Sequence, residues 1–185
     1  MSERSVPIRL IEAADAEAAL AALPAPAQAW ARLQGFAGTL GQTVQIPDAD
    51  GALDQVLFGW GDGAARARGR FHIARLAAAL PDGAYRLASP MDPDDAAEAA
   101  LAWELSRYRF TRYKDAKAPE ALLDTPDGVD ADRAAAIAAG ARLTRDLINT
   151  PAEDMGPAEI EAALRSVAAA HGAEVSAIVG DDLLA

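Results

Sequence analysis

Hydrophobic positions set the first predictions. Val6-Pro7-Ile8-Arg9-Leu10-Ile11 reads as a short strand, with Pro7 confining it to a sheet edge or to a first position. Residues 14–23 have helical composition and stop at Pro24. Residues 26–34 suit a short helix with Pro26 in its first turn and Gly35 just past its end. Thr43-Val44-Gln45-Ile46 and residues 53–58 read as strands on either side of the turn signal Pro47-Asp48-Ala49-Asp50-Gly51. Residues 71–80 read as helix up to Pro81-Asp82-Gly83, and Tyr85-Arg86-Leu87-Ala88 as a further strand.

The pattern sharpens further on. Pro93-Asp94-Asp95 is a helix start, its carboxylates at the positive end of the helix dipole. Ala97, Leu101, Leu105 and Tyr108 then recur at helical spacing and predict one buried stripe. Residues 117–128, with Pro119 and Pro126, read as loop and as the best linker. Asp130 can cap a long helix whose face Ala134, Ile137, Ala141, Thr144 and Ile148 predicts a packing surface. Asn149-Thr150-Pro151 ends it, because the residue before proline is driven out of helical geometry. A second helix starts at Gly156-Pro157, carries Ile160, Leu164 and Val167 on its apolar side, and closes at His171-Gly172. Residues 173–179 read as a strand, and Asp181 as the cap of one more helix. Strands interleaved with helices indicate an α/β fold. Residues 1–125 are expected to form an N-terminal domain with a mixed sheet flanked by helices. Residues 126–150 would be a linker and connecting helix, and 151–185 a truncated helix–strand unit.

Composition narrows the function classes. The 185 residues are half apolar, and alanine outnumbers the aromatics, which make up 5%. That bias favours helices, since alanine loses least on entering one. There is no cysteine, hence no disulfide framework and no thiolate ligand or nucleophile. No apolar run reaches the ~20 residues of a membrane span, and the first ten residues lack the plan of a signal peptide. These features predict a cytoplasmic protein with no membrane partner. A net charge of −11 opposes binding to phosphate backbones, so no nucleic acid partner is expected. The local exception, Arg107, Arg109, Arg112, Lys114 and Lys117, reads as a solvated helix end and loop, with a subunit contact as the next reading.

Candidate chemistry is sparse. Gly59-Trp60-Gly61-Asp62-Gly63 lies between a strand and a helix, but it is G-x-G-x-G and not G-x-G-x-x-G, and it lacks the P-loop lysine. A flexible strand-to-helix connection is the expected role. His72 and His171 stand apart from each other and from any ligand-spaced partner, so they read as a partly packed residue and a helix C-terminal residue. Asp92, Asp94 and Asp95, and likewise Asp181 and Asp182, sit at helix starts where capping accounts for them. No catalytic, cofactor-binding or metal-binding residue is assigned.

Two segments point to a family. Arg145-Asp146-Leu147-Ile148-Asn149-Thr150-Pro151-Ala152-Glu153-Asp154-Met155-Gly156-Pro157 resembles the joint between the N-terminal and catalytic domains of the leucyl (cytosol) aminopeptidases. Tyr108-Arg109-Phe110-Thr111-Arg112-Tyr113-Lys114 is similar to a run that precedes that joint, and Gly180-Asp181-Asp182-Leu183-Leu184 follows in order. The resemblance covers residues 104–185. It implies a two-metal peptidase, with zinc or manganese in a catalytic domain beyond Ala185, peptide substrates and a homohexameric assembly. This chain would then be non-catalytic, hold no metal, and serve in assembly and domain positioning. The alternative is a free-standing α/β module binding a nucleotide-like ligand near residues 59–63 or a protein partner.

Overall fold

A computed structural model describes residues 5–184. Contacts divide it into two compact units. The first runs up to Arg109 and resumes over Ala116–Gly140; the second takes Phe110–Asp115 and the chain from Ala141 on.

The first unit is a five-stranded mixed sheet flanked by helices. In chain order its elements are β1 (Val6–Glu12), α1 (Ala16–Ala21), α2 (Ala25–Leu33), β2 (Thr43–Pro47), β3 (Leu53–Gly61), α3 (Gly63–Arg66), α4 (Ala74–Ala79), β4 (Gly83–Leu87), α5 (Pro93–Ser106) and β5 (Ala121–Leu123), with the start of α6 (Ala131–Asn149). The strand order is β2-β3-β1-β4-β5, antiparallel only between β2 and β3. Period-two alternation sends neighbouring residues to opposite faces. Val56 and Phe58 join Ile8, Tyr85, Leu76 and Trp103 in a core beneath α4 and α5. Leu57, between them, joins Ile11, Leu20, Phe36 and Val44 in a second core beneath α1 and α2. The sheet is therefore covered on both faces, as the expected α/β class requires.

Several expectations are corrected. Strand β1 is central, so of the two places open to Pro7, an edge or a first position, it takes one at the strand's start. Pro7 is tolerated because it precedes Ile8↔Val56, the first pair of the β1–β3 ladder, so its missing N–H interrupts no pair there. Beyond the end of β4, Ser89 Oγ completes β1's edge by accepting from the Leu10 amide at 2.8 Å and donating to the Leu10 carbonyl at 3.1 Å. The supposed linker contains β5, too short to show a period. It is fixed where the buried Trp103 indole donates to the Ala121 carbonyl at 2.9 Å. The helix expected over 71–80 is shorter, because Phe71 takes a left-handed φ of 59° that no helix accommodates.

The second unit contains the end of α6, helix α7 (Pro157–His171) and a 3-10 turn, Gly180–Leu184. Gly172, at φ 66°, caps α7 as expected. A further correction lies here: residues 173–179 form no strand, since no other strand among the described residues pairs with them.

The face expected of α6 is also displaced. Its more sheltered line runs through Ala134, Ala138, Ala141, Arg142 and Arg145, while Ile137 and Ile148 stay exposed, Ile148 to 76%. Small and amphipathic side chains take the contact, which an apolar count along the helix does not reveal.

Candidate functional site

Gly59 and Gly61 belong to β3 and are not a flexible connection. A Cβ on Gly59 would lie 2.0 Å from the Thr39 carbonyl oxygen, and one on Gly61, at φ 65°, 2.8 Å from the Leu40 Cβ. These glycines let the 38–42 segment close onto the strand. The Gly59 amide donates to the Gln42 carbonyl at 2.7 Å and the Gly61 amide to the Gly38 carbonyl at 2.9 Å. Both N–H groups are thus committed to the backbone, and neither is free to cradle a phosphate. Asp62 caps α3 by accepting from the Ala65 amide at 2.7 Å.

A cleft of about 380 Å³ opens beside the end of β3. Arg66 lies on one wall, 5.5 Å from the Trp60 ring centre. It pairs with Glu12, the last residue of β1, at 2.9 Å and donates to the Trp60 carbonyl at 3.1 Å. His72 stands edge-on to Trp60, and its Nε2 meets the Arg66 carbonyl at 3.0 Å. A carbonyl only accepts, so that nitrogen carries the proton. Opposite, Glu98 accepts from the Phe71 amide at 2.8 Å and from Arg70 Nε at 2.6 Å. Burial pushes the Glu98 pKa up, but the Phe71 amide, the Arg70 guanidinium and the nearby His72 outweigh it and hold it below the ordinary carboxylate value. Glu98 thereby fixes the left-handed turn at Phe71. Sequence reasoning passed over Glu98 because its partners lie 27 and 28 residues away.

The second unit brings the two signature runs together. Tyr113, from the first run, donates its hydroxyl to Asp154 in the second. That hydrogen bond is the largest cause raising the Tyr113 pKa. Phe110 stands edge-on to Tyr113 at 5.8 Å, and Arg112 lies over the Tyr113 ring at 5.7 Å. Thr150 is buried and donates Oγ1 to the Asp146 carbonyl at 2.7 Å, closing the end of α6 as the Asn-Thr-Pro element predicts. Glu159 accepts from the Gly156 amide at 3.0 Å and secures the start of α7.

The remaining candidates sit at the ends of helices and turns. Asp92 caps α5 by accepting from the Asp94 amide, and Asp94 and Asp95 occupy its first turn. Asp181 and Asp182 begin the 3-10 turn, and His171 is the exposed last residue of α7. In the basic run, Arg107 pairs with Glu104, Arg109 donates to the Ser106 and Tyr108 carbonyls, and Lys117 pairs with Asp82 and Glu120. Among the described residues no group of three or more His, Asp or Glu side chains could hold a metal ion, and no helix is long and apolar enough to cross a membrane.

Comparison with known proteins bears on the whole arrangement. A family model described as the M17 aminopeptidase N-terminal domain matches residues 6–126, more than half of the chain. A probable cytosol aminopeptidase from Brucella anthropi is 31% identical over 159 residues, covering 70% of this chain and 31% of that protein. The crystal structure of a cytosol aminopeptidase from Coxiella burnetii superposes with a TM-score of 0.87 at 32% identity, over 99% of this chain and 39% of that one. The bottromycin maturation enzyme BotP, solved in complex with Mn, matches with a TM-score of 0.70 at 27% identity, over 97% of this chain and 39% of its own. The chain thus spans well under half the length of these relatives. With the mixed sheet, its two-sided core and the match over residues 6–126 in agreement, the chain belongs to the M17 leucyl aminopeptidase family and carries that family's N-terminal domain.

Proposed function

We propose that this chain is the N-terminal region of a cytoplasmic two-metal leucyl aminopeptidase that removes N-terminal residues from peptides, and that it acts in assembly and domain positioning without performing the chemistry. In this reading residues 1–125 are the N-terminal domain, 126–150 the linker and connecting helix, and 151–185 the start of the catalytic domain. The assembly would be a homohexamer.

One observation carries the proposal: the family match over residues 6–126 is followed by a unit whose apolar side chains lie open. Ile160, Leu164 and Val167 line one side of α7, and Ile178, Val179, Leu183 and Leu184 follow them, all exposed. Large exposed apolar sets mark contact surfaces. The family's metal pair, zinc or manganese, polarises the scissile carbonyl and activates water when bound. The described residues do not fit such a pair, because no cluster of suitable donors forms among them. No catalytic step is therefore derived through this chain.

The test is an aminoacyl-arylamide assay with added manganese or zinc, run on this chain and on a longer protein that continues it through a catalytic domain. Turnover is expected from the longer protein alone. Chelator-sensitive turnover by this chain after repurification would overturn the non-catalytic assignment. A metal-loaded, folded longer protein inert on all such substrates would overturn the peptidase assignment.

A further inference from the structure

The cleft beside β3 is lined by residues of the first unit alone, and it occupies the place where open α/β sheets bind ligands. Strands β1 and β3 are parallel neighbours, and the chain leaves them toward opposite faces of the sheet. From β1 it passes to α1 and α2, and from β3 to α3 and α4. Such a divergence opens a crevice at the carboxyl ends of the strands. Its volume of about 380 Å³ falls within the roughly 300–1,000 Å³ of small-molecule sites.

The walls define the ligand. Arg70 is held at Nε by Glu98, with its guanidinium carbon 5.2 Å from the Phe71 ring centre, and its two terminal amino groups have no hydrogen bond or ion pair among the described residues. Asp95 also lines the cleft, and its carboxylate has no ion pair or hydrogen bond among the described residues. Asp95 and Glu98 are three residues apart on α5, so they share a helix face about 5–6 Å apart. A guanidinium anchored at Glu98 and the Asp95 carboxylate therefore line the same cleft, their positions on α5 one helical turn apart. Phe71 supplies apolar wall; Ile73 and Ala99 also line the cleft but are almost wholly buried. The left-handed Phe71 backbone, tied to Glu98, is strain of the kind concentrated at ligand sites. A simple anion would face Asp95 and Glu98, and a simple cation would face Arg66 and Arg70. A zwitterion satisfies both.

We infer that this cleft binds a free α-amino acid. Its carboxylate is received by the terminal amino groups of Arg70, its ammonium by Asp95, and an apolar side chain lies toward Phe71, Ile73 and Ala99. The inference rests on the proposed function to the extent that a peptidase releases such amino acids. The N-terminal domain would then sense the enzyme's own product class.

The experiment is an NMR titration of this chain with L-leucine, L-leucinamide and N-acetyl-L-leucine, read at the Trp60 indole and the Phe71 amide. Leucine is expected to give saturable shifts. Leucinamide, which lacks the carboxylate, and N-acetyl-leucine, which lacks the ammonium, should each bind at least about tenfold more weakly, equivalent to about 1.4 kcal/mol. Asp95→Asn and Arg70→Gln should each produce a similar loss for leucine, with the fold checked by circular dichroism. No saturable shift with leucine up to about 20 mM, well above a millimolar dissociation constant, would overturn the site. So would equal binding of leucine and either blocked analogue, which would mean a plain anion or cation site. The titration needs no turnover, so an inactive longer protein would sink the peptidase reading without deciding this one. An active enzyme whose domain ignores leucine would sink only the site.

Discussion

In the sheet-bearing unit the large side chains of the two cores are hidden: Trp103, Tyr85, Phe58 and Leu20 lie almost wholly out of solvent. In the second unit only Thr150 and Ala168 are buried among the described residues, while Leu164 is 56% and Leu184 87% exposed. Helices α5 and α7 make the contrast concrete. The alanine-rich α5 has a weak apolar stripe, yet Ala96, Ala99, Ala102 and Trp103 are all buried. The sharper stripe of α7 is left bare except at Ala168. Amphipathicity therefore records what a helix is suited to bury, and the neighbouring layer decides whether it does. Each fully buried leucine or isoleucine contributes about 1.5–3 kcal/mol, a gain α7 forgoes here.

The contrast predicts where substitutions will hurt. Trp103→Ala should cost most, about 3–5 kcal/mol in chemical denaturation, because it empties the core beneath α5 and frees the Ala121 carbonyl that anchors β5. A loss under about 1 kcal/mol would show that the buried set is not what holds this unit.

Gly59→Ala comes next. Its methyl would sit 2.0 Å from the Thr39 carbonyl, so strand β3 or the 38–42 segment must move, at about 1–3 kcal/mol or more. Unchanged melting would mean that the contact between those segments is loose.

Glu98→Gln should have a smaller, pH-dependent effect. The folded pKa of Glu98 lies below its ordinary 4.5, so its charge stabilises the fold above that value. The contribution is lost as pH falls through the folded pKa. Wild type should exceed the variant at neutral pH, with the gap closing as the pH falls below 4.5 and through the lowered folded pKa. A gap that widened on acidification would reverse the sign and disprove the pairing with Phe71 and Arg70.

At the bottom of the scale stand Ile148→Asp and Leu164→Asp. Both side chains are already in water in this chain, so each change should fall within about 0.5 kcal/mol. If either unfolded the chain, the second unit would have a core of its own and the comparison between the units would fail.

Much of the fold was legible before any coordinates. Strands β2, β3 and β4 and helices α2, α5, α6 and α7 follow from alternation, helical spacing and the proline and glycine signals at their ends. The segment Ala121–Leu123 was not legible, because three residues carry no period and Trp103 fixes them from 18 residues away. The candidate cleft was hidden for the same reason. Arg66, Arg70, Asp95 and Glu98 form no motif along the chain and become a set only where β3 and α5 converge. The meeting of Tyr113 with Asp154 had a trace, since both runs stood out separately, but nothing in either named its partner.

The sequence by itself determined the α/β class, most helix and strand positions, the acidic charge and the family, because local propensity and motif order are written residue by residue. Only the tertiary structure decided that β1 is central despite Pro7, that residues 59–61 belong to strand β3 with Asp62 capping the next helix, and that 173–179 forms no strand. These depend on which backbone groups find partners and which faces find a covering layer. Both are settled between segments distant in the chain, where no local pattern reaches.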